Sequence, residues 1–241
     1  MIGIVPAAGM GRRLGQTYQN LPKPLVEVGG SSLISRVLRR LDALEIDSLL
    51  IVLGYMGDRV RDHIDSLSLD HRVDFLENEL YETTNNLYTL SLTIPFWGNG
   101  FVVSDSDLLT SRDVLKRLCA VTGSGILVDR SRSQTFDLGA HVAKGRVTQL
   151  SKDVPRAVAS GEGLGMSIWR APDAAILARE VRRMLREGGE DLWYPYAMSA
   201  AAQHVRLLEV PVTSKEWWEV DTHADLEEGQ RLAANNPLWA I

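Results

Sequence analysis

The chain has 241 residues, with 26 Lys+Arg against 31 Asp+Glu, a formal net charge of −5, 45% hydrophobic and 24% charged residues. This composition excludes a disordered or fibrous chain, and the acidic balance argues against a nucleic-acid partner, which calls for a basic excess. Cys119 is the single cysteine, so neither an intrachain disulfide nor a cysteine-rich zinc site can form.

The apolar run 2–5 reads as a buried strand that ends at Pro6, and Gly9, Gly11 and Gly15 mark the loop after it. A helix is expected from Ser31 or Ser32. Leu33, Ile34, Val37, Leu38, Leu41 and Leu44 recur on one face, with Arg36, Arg39 and Arg40 on the other. Strand 49–53, helix 55–67 and strand 73–76 follow. Run 49–53 is the longest strongly apolar one, far too short to span a bilayer. No secretory leader is read at the start, so the expected location is the cytoplasm, without a membrane partner.

Strand 101–103 runs into acidic residues, and a helix over 113–121 follows Ser111, with Cys119 packing near its apolar face. Residues 138–143 and 146–150, joined by Lys144-Gly145, read as a β-hairpin. Strand 164–169 leads to a helix that opens at Pro172 and stops at Gly188-Gly189. Its Arg179, Arg182, Arg183 and Arg186 alternate with Glu180 and Glu187, a solvated face rather than a basic patch. Strand 205–210 comes late, and Thr222 with Asp225 forms a capping-box pattern ahead of the last helix. Strands alternating with helices imply an α/β domain built on a mixed, mostly parallel sheet. Helices would cover both faces, with the small hairpin as an insertion. No linker divides it, so one domain over 1–241 is expected.

Signatures of P-loop, α/β-hydrolase and zincin chemistry are absent, and the five histidines lack ligand spacing. The positive signal is PAAGMGRRLG (6–15) directly after the first strand, followed by LPKPLVEVGG (21–30). Small residues at Ala7, Ala8, Gly9 and Gly11 let backbone N–H groups approach an anionic or planar ligand. Arg13 offers a planar fork to phosphate oxygens, and Lys23 a point charge that can reach the same phosphates.

Glycine-x-glycine-x-arginine followed by proline-lysine resembles the signature of the Rossmann-like nucleotidyltransferases, and the resemblance runs over roughly 2–232. ETTNNLYTLSL (82–92) is similar to a segment of the bacterial phosphocholine cytidylyltransferases and of related phosphonate and polyol-phosphate enzymes. VVSDSDLL (102–109) resembles the strand that ends in a metal-binding aspartate, and EWWEVDTHADL (216–226) the closing motif with its acidic pair. SKDVP (151–155) and GEGLGMSIW (161–169) resemble acceptor-side segments. The resemblance implies a Rossmann-like nucleotidyltransferase fold and CMP transfer from CTP to a small phosphate or phosphonate monoester. Arg13 and Lys23 would be catalytic. Ala7, Ala8, Gly9, Gly11, Arg12, Asn85, Asn86 and Asp105 would meet the nucleotide, and Asp107, Glu219 and Asp221 the metal. Lys152, Glu162, Trp217 and Trp218 would meet the acceptor, and a homodimer is possible. Arg12 departs from the family's usual Ser or Thr. Ser-Asp-Ser-Asp replaces Gly-Asp, so Asp105 and Asp107 compete for the metal, with the register favouring Asp107.

The chemistry is consistent with that resemblance. Bringing a triphosphate and a second phosphate together requires cations, and hard carboxylate oxygens suit Mg²⁺. A phosphate dianion is itself a nucleophile, so no general base is required. Asn85 and Asn86 can read a cytosine edge through their amides or can cap the helix that follows. An aromatic group among Trp169, Trp193, Tyr194, Trp217 and Trp218 could hold an ammonium by cation–π attraction, with Trp169 the one expected to be core. The alternatives are a sugar-phosphate nucleotidyltransferase using UTP, dTTP or GTP, and a nucleotide-binding regulatory module without catalysis.

Overall fold

The computed structural model describes residues 1–15, 20–132 and 136–235. Its first half comprises β1 (Ile2–Ala7), β2 (Glu27–Val28), β3 (Ser31–Ser32), α1 (Leu33–Asp42), β4 (Leu49–Leu53), α2 (Gly57–Asp65), β5 (Val73–Glu77) and α3 (Asn86–Ser91). There follow β6 (Phe101–Ser104), β7 (Leu108–Thr110), α4 (Arg112–Ala120), β8 (Gly125–Asp129), β9 (Gly139–Ala143), β10 (Arg146–Ser151) and β11 (Gly161–Trp169). The last elements are α5 (Ala171–Arg186), α6 (Tyr194–Ala201), β12 (Leu208–Val212), β13 (Trp217–Glu219) and α7 (His223–Asn235).

Among the described residues the main sheet runs β5-β4-β1-β6-β11-β8-β12-β10-β9. The four strands β5, β4, β1 and β6 are parallel. β11 reverses direction between β6 and β8, and β12 returns parallel to β8. All five side chains of β4 are buried, which is why its sequence is a continuous apolar run rather than an alternating one. From β1 the chain builds outward to β4 and β5, then returns to place β6 on the other side. The crevice at the carboxyl ends of β1 and β6 is therefore a topological switch point, where open α/β sheets bind ligands.

Helices cover both faces of the sheet. On one, α5 and α6 bury Leu177, Val181, Ala197 and Met198 against strand residues including Phe101, Ile126 and Trp169. On the other, α1, α2 and α4 bury Leu38, Val60 and Leu115 against Ile51 and Val102, with Cys119 partly buried beside them. The helix stops behave as their residues dictate. Ser32 caps α1 by accepting from the Ser35 N–H at 3.2 Å. Gly188 follows α5 at φ 82°. In the capping box the Asp225 N–H donates to Thr222 Oγ1 at 3.3 Å and the Thr222 N–H to Asp225 Oδ2 at 2.7 Å. Lys144 and Gly145 both take positive φ, 52° and 71°, the conformation a tight β9–β10 hairpin needs. On α5, Arg183 pairs with Glu180 at 3.0 Å and Glu187 at 2.7 Å; Glu187 is exposed, but Glu180, expected on a solvated face, is buried beneath Arg179 and Arg183.

Several elements differ from the sequence reading. Arg36, expected on the solvent face of α1, is only 7% exposed. It donates from Nε to the Val28 carbonyl at 2.8 Å and from Nη2 to that of Gly29 at 3.1 Å, holding the β2–β3 turn. The late strand is displaced to Leu208–Val212 and contains Pro211. β10 meets β12 only at Arg146↔Leu208, so the Pro211 end has no ladder partner on that side and its missing N–H costs nothing. β8 and α6 were not anticipated, and neither was the β7–β13 ladder that sets Trp217 opposite Thr110 and Glu219 opposite Leu108.

Candidate active site

The loop after β1 turns back on itself at Gly11, whose φ of 61° favours glycine. A Cβ built there would lie 2.7 Å from Lys23 Cβ, so the bare backbone is what lets the Lys23 segment pack against the loop. Lys23 donates to Asp107 and, at 2.7 Å, to Asp221 Oδ1. Arg13 Nη2 reaches the same Asp221 oxygen at 2.8 Å. Two cations from the first loop thus converge on a carboxylate between β13 and α7. Burial opposes the charge on Lys23, but the Asp107 and Asp221 carboxylates outweigh it and hold the ammonium above its ordinary range.

Asp105, Asp107 and Glu219 bring carboxylate oxygens within 4.8 Å of one another. The β7–β13 ladder supplies Glu219, while the end of β6 supplies the two aspartates. Burial and the adjacent Asp107 charge push Asp105 up to about 8, and burial with the same neighbour raises Glu219 well above the carboxylate range. Asp107 Oδ1 is buried with no hydrogen-bond partner among the described residues. Protonation-prone carboxyls, an orphaned oxygen and an all-oxygen donor set fit a hard divalent cation. Asp221, read from sequence as a metal ligand, lies outside this triad and is engaged by Lys23 and Arg13, whereas Asp105 lies inside it.

Sequence reasoning named Tyr194 only as a possible ammonium ring and Gly165 only within an acceptor-side segment, and missed that both fix Asp105. Tyr194, fully buried at the start of α6, donates its hydroxyl to Asp105 Oδ1 at 2.9 Å. On the other side, a Cβ at Gly165 would stand 2.0 Å from Asp105 Oδ2, so only glycine leaves room for the carboxyl. β11 bulges against β8 between Gly163 and Ser167, and the Asp105 N–H donates to the Gly165 carbonyl at 2.8 Å. The available signal was GEGLG itself, since glycines inside a strand mark close backbone approach.

A cleft of about 370 Å³ opens at this point. Ala8, Gly9, Gly11, Arg12, Arg13, Lys23, Asn85, Asn86, Asp105, Asp107, Glu162, Glu219 and Asp221 line it. Ala7 is buried at the end of β1 and does not. Arg12 is exposed, its Nη2 3.7 Å from Met10 Sδ. Asn85 Oδ1 accepts from the Asn86 N–H at 2.8 Å as the cap of α3, and Asn86 Oδ1 accepts from the Tyr194 N–H at 2.8 Å. Both asparagines therefore shape the wall as well as face the cleft.

Of the four residues read as acceptor-side, only Glu162 lines this cleft. It accepts from the Asp137 N–H at 3.1 Å, and burial raises its pKa. Lys152 places Nζ 3.3 Å from the ring centre of Trp193. Trp217 donates to Asp129 Oδ2 and Trp218 to the Asp225 carbonyl, each at 2.8 Å. They line an adjoining hollow that shares Arg13, Asp137, Glu162, Glu219 and Asp221 with the cleft. Trp169 is fully buried, as expected.

A nucleotide-type switch point, closed by acidic residues from the far end of the chain, defines a Rossmann-like nucleotidyltransferase. The chain belongs to the MobA-like NTP transferase domain family, which matches residues 3–205. It is 28% identical over 244 residues to the bifunctional IPC transferase and DIPP synthase of Rubrobacter xylanophilus, covering 98% of this chain but 52% of that protein. The chain thus spans about half the length of that relative. It is 26% identical over 235 residues to the 2-aminoethylphosphonate cytidylyltransferase of Lancefieldella rimae, covering 92% of this chain and 89% of that one. Its fold matches the CTP:phosphocholine cytidylyltransferase of Streptococcus pneumoniae with a TM-score of 0.74 at 20% identity, over 96% and 98% of the two chains. Among the described residues no helix is long and apolar enough to cross a membrane.

Proposed function

We propose that the chain transfers CMP from CTP to a small phosphate or phosphonate monoester and releases pyrophosphate. The observation that carries this is the convergence of Arg13 and Lys23 on Asp221, beside the Asp105–Asp107–Glu219 triad and under the glycine loop. The activities for which the Lancefieldella and Streptococcus proteins are named support the same donor and the same kind of acceptor.

In this reading the backbone of residues 8–11 cradles the triphosphate, and Arg13 and Lys23 exchange carboxylate partners for phosphate oxygens. An acceptor phosphoryl oxygen attacks the α-phosphorus and forms the new P–O bond. The bond from the α-phosphorus to the bridging oxygen breaks, and its electron pair leaves with pyrophosphate. The acceptor dianion needs no base, so the side chains work by positioning and by neutralising charge. Asp105, Asp107 and Glu219 would hold Mg²⁺, which when bound supplies positive charge to the phosphate oxygens. Asn85 and Asn86, fixed by their caps, present the amide wall for the base, and Glu162 lies on the acceptor side.

The test is pyrophosphate release with each of CTP, UTP, GTP, ATP and dTTP against a panel of phosphate and phosphonate acceptors with Mg²⁺. CTP should be preferred. A best rate with UTP or dTTP and a sugar 1-phosphate would replace this reading with the sugar-nucleotide one, and no release under any pairing would remove both.

A further inference from the structure

The stretch of cleft wall contributed by residues 78–89 carries no charged side chain. Asn78, Tyr81, Thr84, Asn85, Asn86 and Thr89 line the cleft there, whereas its cations and carboxylates come from other segments. Tyr81 adds an aromatic ring, packed at 6.3 Å and tilted 59° against Tyr55. The Tyr55 N–H in turn donates to the Ala8 carbonyl of the glycine loop at 3.1 Å. A neutral wall with a ring beside the phosphate loop suits a nucleobase, which stacks on aromatic side chains and is read through neutral hydrogen bonds.

Most polar side chains of this wall are spent on one another. Asn78 Oδ1 accepts from the Leu80 N–H at 2.9 Å, and Asn78 Nδ2 donates to Thr84 Oγ1 at 3.2 Å and Thr89 Oγ1 at 3.0 Å. Those two hydroxyls donate onward to the carbonyls of Leu80, at 2.7 Å, and Asn85, at 3.3 Å. Asn85 and Asn86 are used differently. Each gives its amide oxygen to a backbone N–H at 2.8 Å, Asn85 to that of Asn86 and Asn86 to that of Tyr194. A backbone N–H can only donate, so the oxygen and nitrogen ends of both amides are assigned by their partners. Neither Nδ2 has a hydrogen-bond partner among the described residues. What the two amides offer a ligand is therefore a pair of donors.

Cytosine and uracil differ at the atoms such a pair meets. Cytosine O2 and N3 are adjacent acceptors, whereas uracil carries a hydrogen on N3. A donor held against donors costs more than a hydrogen bond merely left out. We propose that Asn85 and Asn86 choose the pyrimidine by donating to the O2–N3 edge of cytosine. They reject uracil because both amide oxygens are held by backbone N–H groups and none turns to accept from its N3–H. The proposal rests on the CMP-transfer reading and names the groups that select its donor nucleotide.

The test compares CTP, UTP and 3-deaza-CTP, in which C–H replaces N3, by calorimetric binding with Mg²⁺ and by kcat/KM for pyrophosphate release. 3-Deaza-CTP should fall about three- to tenfold below CTP, the scale of one missing hydrogen bond, and UTP about tenfold or more, the scale of an unsatisfied donor. Asn85→Asp and Asn86→Asp each keep an oxygen for the backbone N–H, and Asp caps a helix as well as Asn does, but each puts an acceptor where the donor was. The UTP-to-CTP ratio should move several-fold toward UTP in at least one of them. Equal use of 3-deaza-CTP and CTP overturns the proposal while leaving CMP transfer intact, and so does an unchanged ratio in both variants. A wild-type preference for UTP overturns it together with the choice of CTP. Binding that follows the expected order without pyrophosphate release under any pairing supports the base assignment and removes the transfer reading, and no binding of any nucleotide removes both.

Discussion

Lys23 donates to Asp221 Oδ1 at 2.7 Å, joining the segment after the glycine loop to the turn before the last helix across 198 positions of sequence. The same ammonium also bonds Asp107, at the end of the first nucleotide-type half of the sheet. One side chain therefore ties together parts of the site that come from the two ends of the chain.

Replacing Lys23 with Ala removes the cation that Asp107 and Asp221 share, leaving Arg13 on Asp221 alone, and takes away a donor proposed for the phosphates. We expect kcat for pyrophosphate release to fall about 10²–10³-fold, the usual cost of one preorganised charge-stabilising donor. Lys23→Arg keeps the charge but not its compact shape beside Gly11 and should recover little. Near-wild-type turnover in Lys23→Ala, measured beside its thermal melt, would disprove the assignment.

Tyr194→Phe keeps the buried ring and removes only the hydroxyl that orients Asp105. That hydrogen bond favours the charged carboxylate, so losing it makes Asp105 harder to ionise. Outer-shell partners of this kind typically contribute 10–100-fold in metal affinity. Mn²⁺ titration followed by electron paramagnetic resonance should show weaker binding by about tenfold, with the melting temperature little changed. Equal affinities would make Tyr194 a packing residue alone.

Much of this geometry was legible in the sequence and some was not, for a definable reason. The loop 6–15, Lys23, the hairpin turn at Lys144-Gly145 and the Thr222–Asp225 box depend on local residue chemistry, and local chemistry survives in spacing. The Tyr194–Asp105 bond spans 89 positions, and no periodicity encodes it. α6 buries Tyr194, Pro195, Ala197, Met198 and Ala201, leaving no polar stripe for a helical pattern to show. Arg36 looked solvent-facing because its partners are carbonyls of a turn that only the fold brings near. That Asp105 and Asp107 stand together with Glu219, rather than competing for one role, was equally out of reach, because only the β7–β13 ladder brings Glu219 beside them.

Divalent-cation binding should release protons. Burial and the neighbouring Asp107 charge push Asp105 up to about 8, and burial with the same neighbour raises Glu219 above its ordinary value, so protons compete with a metal for the triad near neutral pH. Apparent Mg²⁺ affinity should therefore climb as pH rises from about 6 to 8, with roughly one proton or more released per ion at pH 7. Calorimetric titrations in buffers of different ionisation enthalpy report that number directly. A pH-independent affinity with no proton release would show that the triad is not the site.

A second pH effect lies far from the cleft, where Asp42 closes α1 onto the turn before β5. Asp42 Oδ2 accepts from the Asp70 N–H at 2.8 Å, and Oδ1 accepts from the His71 N–H at 2.9 Å and lies 2.9 Å from His71 Nδ1. Burial raises the pKa of this carboxyl, but the donors outweigh it and the folded value falls below the ordinary one. A depressed carboxylate stabilises the folded state fully above its unfolded pKa of about 3.9, and that contribution disappears as pH drops through the lower folded value. Asp42→Asn keeps the shape, yet its amide group turns a donor toward one of the backbone N–H groups. It should cost about 1–2 kcal/mol at pH 7, the scale of charge-assisted hydrogen bonds left partly unmade. Urea melts should show that deficit at pH 7 and a gap between variant and wild type that shrinks as pH falls below the unfolded value toward the lower folded one. An equal gap over that whole range would mean that the turn is held by packing rather than by the Asp42 charge.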